Sequence, residues 1–81
     1  MKVRVQFYAQ LRELIGVHEL EVELPQAPTV CELLENIYSQ KPALRGHDKS
    51  ILVAAGLEFV DRNYKLNPGE EIAIMPPVQG G

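Results

Sequence analysis

"TVCELLENIYSQ", Thr29 to Gln40, is the stretch on which the fold turns. Thr29 followed three residues later by Glu32 is a capping box. The threonine hydroxyl can accept from the backbone N–H of residue 32 while the glutamate reaches back to the N–H of residue 29, satisfying two donors that a helix start leaves open. Beyond it, Val30, Leu33, Leu34, Ile37 and Tyr38 recur at the i, i+3, i+4, i+7, i+8 spacing of one apolar stripe. The spacing predicts a helix from about Val30 to Gln40, stopped by Pro42. One stripe covers one face of one sheet, so the rest of the chain has to supply that sheet, and a two-layer α+β domain follows.

Working outward, Lys2 to Tyr8 alternate, with Val3, Val5 and Phe7 on one face and Lys2, Arg4, Gln6 and Tyr8 on the other, as a half-buried strand requires. "AQLRELIG" (9–16) sets Leu11, Leu14 and Ile15 at helical spacing ahead of a glycine, which predicts one short helical turn closed by a left-handed residue. Alternation resumes from Glu19 to Leu24, with Leu20, Val22 and Leu24 facing in and three glutamates facing out, until Pro25 ends it. On the other side of the helix, "ALRGHDKS" (43–50) reads as a polar loop. "ILVAA" from Ile51 suits a buried strand, and "LEFV" after Gly56 suits a short strand beyond a turn. "NPGE" sets Pro68 and Gly69 where a type II turn needs them. A last strand, Glu71 to Met75, sends Ile72 and Ile74 inward and Ala73 and Met75 outward. With no repeat, linker or low-complexity segment, residues 1–75 read as one domain and residues 76–81 as a tail.

Composition narrows the function. Hydrophobic residues at 46% and charged residues at 23% are globular values. The net charge is −3 and the lysines and arginines are scattered, so the footprint of a nucleic-acid binder is missing. No apolar run approaches the ~20 residues that cross a bilayer, and Met1 leads directly into the alternating stretch rather than into a signal peptide. The single cysteine, Cys31, excludes an internal disulfide and suits a reducing compartment. The expectation is a cytoplasmic protein that binds neither nucleic acid nor membrane.

Few residues offer chemistry. Glu19, Glu21 and Glu23, spaced by two, line a solvated strand face rather than converging on a cation. His18 and His47 have no partners at metal-ligand spacing and read as surface residues. Cys31 falls in the first turn of the predicted helix, where the dipole favours a thiolate, but it also borders the apolar stripe and reads first as a small, partly buried side chain. No nucleophile elbow, P-loop or dinucleotide fingerprint occurs, so neither a self-contained active site nor a bound cofactor is expected.

What remains is "PPVQGG", Pro76 to Gly81. Pro76 and Pro77 cannot continue a central strand and bias the chain toward an extended form that leaves the sheet. Gly80 and Gly81 have no Cβ, so this end can enter a channel too narrow for other residues. A frayed end is the plain alternative. The one functional group of such a tail is its carboxylate, which is ionised at neutral pH and a poor electrophile until it is activated, most simply by adenylation with ATP. A sulfur nucleophile would then give a thiocarboxylate, and an amine an isopeptide.

"FYAQLRELIG" (Phe7 to Gly16) resembles the "FFA..RE..G" segment of the small subunits of molybdopterin synthase, and "LNPGEEIAIMPPVQGG" (Leu66 to Gly81) resembles their "L..GDEVA..PPV.GG" ending. The two motifs stand at opposite ends of the chain, and the element order between them also agrees. The resemblance implies a β-grasp, ubiquitin-like roll with the first and last strands parallel at the sheet centre. It implies a sulfur carrier whose Gly81 is adenylated by an E1-like enzyme that consumes ATP and is then converted to a thiocarboxylate with sulfur from a donor enzyme. The tail, Pro76, Pro77, Val78, Gln79 and Gly80, would insert into the large synthase subunit of a heterotetramer, where the sulfur passes to cyclic pyranopterin monophosphate. A terminal Gly-Gly also fits a thiamine sulfur carrier or a ubiquitin-like modifier. Where the family usually has Asn after the central apolar strand, this chain has Gly56, which keeps a positive-φ turn and loses an amide.

Parallel neighbouring end strands would set Tyr8 and Met75 at one end of the sheet, beside the tail, as a partner patch or as scattered surface residues. Phe59 either extends that patch or enters the core. Arg12 either pairs with an acidic partner group or caps local carbonyls.

Overall fold

A computed structural model describes residues 1–77, so the expectations placed on Val78, Gln79, Gly80 and Gly81 lie outside the described residues. The elements are β1 (Lys2–Phe7), α1 (Gln10–Ile15), β2 (Glu19–Glu23), α2 (Val30–Gln40), a 3-10 helix (Pro42–His47), β3 (Leu52–Ala55), β4 (Glu58–Val60) and β5 (Glu71–Met75). The strands form one mixed sheet in the order β2-β1-β5-β3-β4. Only β1 and β5 run parallel, and the crossover between them contains α2. This is the β-grasp roll that the element order and the resemblance anticipate.

Helix α2 starts as its sequence dictates. The Thr29 hydroxyl accepts from the Glu32 N–H at 3.3 Å, and the Glu32 carboxylate accepts from the Thr29 N–H at 3.2 Å. The N–H groups of Val30 and Cys31 donate to the carbonyls of Tyr64 and Arg62 at 2.9 and 3.0 Å. The first-turn donors are therefore engaged within the chain, and the helix start is tied to the 62–66 loop. Val30, Leu33, Leu34, Ile37 and Tyr38 are buried against Val3, Val5 and Phe7 of β1 and Ile72 and Ile74 of β5. At roughly 1.5–3 kcal/mol for each large apolar side chain removed from water, this interface supplies most of the cohesion between the layers.

The turns follow their chemistry. Gly69 sits at φ +80° behind Pro68, with the Glu70 N–H donating to the Asn67 carbonyl at 3.2 Å. Gly56 takes φ +63° at the first central position of the two-residue β3–β4 turn, a place where a side chain is strained.

Several expectations need correction, beginning with the end residues Leu24, Ile51 and Leu57, which fall outside β2, β3 and β4. The segment after α2 is a 3-10 helix rather than a polar loop, because Pro42 has the φ that a helical first turn needs and Leu44 is completely buried. Strand β1 ends at Phe7 rather than Tyr8, since Ala9 at φ +54° turns the chain away. In α1, Leu11 and Ile15 are buried but Leu14 is exposed, because a six-residue helix buries only one side of its turn.

Candidate functional site

The parallel ladder between β1 and β5 builds the candidate site, which is the corner where the chain leaves the sheet. Arg4 pairs with Glu71 and Phe7 with Ile74 in one register. One residue on, the Tyr8 N–H still donates to the Ile74 carbonyl at 3.1 Å. In a parallel ladder the donor due at the Tyr8 carbonyl would be the N–H of residue 76, which is a proline and has none. The Tyr8 carbonyl accepts instead from the Leu11 N–H at 3.2 Å, in the first turn of α1. Pro76 thus ends the sheet and leaves the carbonyl to start the helix.

On the outer face of the sheet this corner is apolar. Met75 lies opposite Leu52, and Ala73 opposite Ala54, which in turn faces Phe59 on β4. Tyr8 is 38% exposed and Phe59 64%, while Met75 and Leu52 are half-buried. Tyr8 and Met75 therefore share one end of the sheet, and Phe59 belongs to the surface rather than the core. The apolar run "ILVAA" hid Leu52 and Ala54 from the patch. Only the pairing of β3 with β5 shows that these two residues face outward. The remaining half of the same face is charged, with ion pairs from Arg4 to Glu19 at 3.4 Å and from Lys2 to Glu21 at 3.9 Å. Exposed pairs of this kind add about 0–1 kcal/mol each, and their main effect is to bound the apolar patch with charge.

Arg12 is exposed and stands at the edge of the corner, beside Tyr8. Its Nε–H donates to the Phe7 carbonyl at 2.8 Å, and its guanidinium lies 5.4 Å from the centre of the Tyr8 ring. The Tyr8 hydroxyl donates to Gln6 Oε1 at 2.9 Å. On the other side of the chain's exit, Leu11, Leu14, Ile51, His47, Pro76 and Pro77 line an open groove of about 520 Å³.

Of the other sequence candidates, His47 borders the groove beside the exit, and the rest do not join this corner. Cys31 is exposed rather than partly buried, because its position on α2 turns it away from the stripe. His18 and His47 are exposed, and Glu19, Glu21 and Glu23 line the solvated face. Among the described residues no group of three His, Cys, Asp or Glu side chains could hold a metal ion, and no helix is long and apolar enough to cross a membrane.

The chain is 36% identical to the molybdopterin synthase sulfur carrier subunit of Chlamydomonas reinhardtii, with all of both chains covered. It is 37% identical to that of Escherichia coli, with 98% of this chain and 99% of the relative covered. Among solved structures, the small archaeal modifier protein SAMP1 of Haloferax volcanii superimposes with a TM-score of 0.88 at 26% identity over all of both chains. A putative molybdopterin converting factor subunit 1 of Pyrococcus furiosus superimposes with 0.87 at 29% identity, over 96% of this chain and 99% of that one. A molybdopterin-converting factor chain of Helicobacter pylori, solved as a complex of subunits 1 and 2, superimposes with 0.71 at 27% identity over all of both chains. The ThiS family model matches residues 5–81, so with the fold and the whole-length relatives in agreement, this chain belongs to the ThiS family.

Proposed function

We propose that this protein is a sulfur carrier, the small subunit of a molybdopterin synthase, whose Gly81 carries the sulfur. The observation that supports this most is the likeness over the full chain to sulfur carrier subunits, which reaches through the exit corner to the last matched residue. In this reading the Gly81 carboxylate attacks the α-phosphate of ATP on an E1-like enzyme, forming an acyl-adenylate and releasing pyrophosphate. Hydrosulfide, or its equivalent from a sulfur donor enzyme, then displaces AMP, forming a C–S bond as the C–O bond to AMP breaks and leaving a thiocarboxylate. ATP is consumed by the activating enzyme, and this chain binds no cofactor of its own. The sulfur then passes to cyclic pyranopterin monophosphate in a pocket of the large subunit.

Each part of the exit corner has a role in this scheme. Pro76 ends the ladder, so residues 76–81 can leave the sheet and enter a partner. Tyr8, Met75 and Phe59, joined by Leu52, form the surface on which a large subunit docks, by analogy with the two-subunit Helicobacter pylori complex. Docking two such chains on a dimer of large subunits gives the heterotetramer, placed by this proposal in the cytoplasm.

Intact mass after incubation with an E1-like enzyme, ATP and a sulfide source tests the proposal. The expected change is the replacement of one oxygen by sulfur, confined to the C-terminal peptide. An unchanged mass overturns it. The likeness to SAMP1 favours a second reading, a protein modifier. That reading predicts isopeptide adducts on lysines of other proteins in the same incubation.

A further inference from the structure

The β1–α1 corner does not keep its shape by local preference. Ala9 sits at φ +54° and ψ −139°, a region that costs a residue with a Cβ about 1–3 kcal/mol and persists only where the surroundings enforce it. Four contacts enforce it here. The Tyr8 N–H is held by Ile74, the Tyr8 carbonyl by the Leu11 N–H, and the Ala9 carbonyl by the Arg12 N–H at 3.1 Å. The fourth is the Arg12 side chain, whose Nε–H holds the Phe7 carbonyl while its guanidinium carbon lies over the Tyr8 ring. The far end of that ring is fixed by Gln6.

We infer that Arg12 is a positioning residue, which clamps the Tyr8 ring beside the chain's exit and contributes to partner binding through that ring rather than through an ion pair with the partner. Three observations converge on this. The Nε–H of the guanidinium is committed to a backbone carbonyl at good hydrogen-bond distance, which directs the side chain over Tyr8. Its distance from the Tyr8 ring lies within the range of a cation–π contact. The strain at Ala9 means that the corner, and Tyr8 with it, would relax once one of the four restraints is removed. The inference rests on the reading of Tyr8 as a docking residue.

A double-mutant cycle by calorimetric titration of the purified cognate large subunit separates the possibilities. Arg12→Gln is expected to weaken binding roughly fivefold, the size of the ordering cost that a released Tyr8 side chain brings to docking. Tyr8→Leu should weaken it further, and the double variant should bind like Tyr8→Leu alone, because Arg12 has nothing left to position. Arg12→Lys should not rescue, since an ammonium keeps the charge but not the fork or the plane. The salt dependence of binding should be the same for Arg12→Gln as for the unchanged protein. Losses that multiply in the double variant, rescue by lysine, or a flatter salt dependence would each overturn the inference and assign Arg12 a direct ion pair. Unchanged binding by Tyr8→Leu would overturn the docking reading itself and the inference with it. Far-UV dichroism and melting accompany each variant, and if Arg12→Gln fails to fold the cycle is run with Arg12→Lys.

Discussion

At Tyr38 a side chain counted on the apolar stripe carries a polar end that closes a small network. Its ring is buried under α2, the Arg45 guanidinium lies 5.1 Å from the ring centre, and its hydroxyl donates to Asp48, which also meets Arg62. Burial first, and then the hydrogen bond and charge of Asp48, push the phenol well above its ordinary value, with Arg62 pulling the other way. A folded-state pKa above the unfolded one means stability that is fully present below pH ~10 and lost as pH rises through the folded value. Denaturant titrations from pH 8 upward should show stability falling above pH ~10, with a shallower fall in Tyr38→Phe. At neutral pH that variant should be about 1–2 kcal/mol less stable, because Asp48 loses its donor. Glu70 behaves in the opposite sense. Partial desolvation raises its carboxyl, but the hydrogen bonds donated by the Tyr64 hydroxyl and the Asn67 N–H outweigh this and leave it below its ordinary value. Its contribution is present above the unfolded value near ~4.3 and lost as pH falls through the folded one, so Glu70→Gln should flatten the acid limb. Neither network was legible in the sequence, since Tyr38 and Asp48 stand ten residues apart in segments with different patterns, and Tyr64, Asn67 and Glu70 lie in a connection with no period to read.

Among the elements, the start and extent of α2 were readable to the residue, because capping and periodicity are local properties of consecutive side chains. The 3-10 helix was not. "ALRGHDKS" is polar by composition, and a single leucine gives no period to read, yet Leu44 is wholly buried and Arg45 pairs with Glu35 at 3.3 Å. Leu44→Ala should therefore cost about 2–4 kcal/mol as a buried large-to-small change. A surface loop residue would cost within ~0.5 kcal/mol, so the midpoint of urea unfolding decides between the two. The last strand was also legible in full, since Pro68 and Gly69 open it and Pro76 closes it. Its partners were not, and with them Leu52 was missed from the patch.

For the whole molecule, the consequence is a sheet with two outer territories, one charged over β1 and β2 and one apolar over β5, β3 and β4 that adjoins the exit of the chain. Changing Tyr8 and Met75 together to Glu should weaken binding of a large subunit by at least tenfold, as expected when charge enters the apolar centre of an interface, while moving the melting temperature little. Titration calorimetry and thermal unfolding check the two halves of that statement. Removing Gly81 should leave the melting curve unchanged and abolish thiocarboxylate formation, read by intact mass. The sequence by itself determined the two layers, the bounds of α2 and β5, and the place where the ladder must stop, because alternation, helical period, capping and the missing N–H of proline are properties of neighbouring residues. Only the tertiary structure decided that β1 and β5 lie side by side, that Arg12 folds onto the Phe7 carbonyl and the Tyr8 ring, and that Leu52 and Phe59 share the outer face. Those depend on pairing between strands 67 residues apart, whose register is fixed by burying both hydrophobic faces on α2 at once.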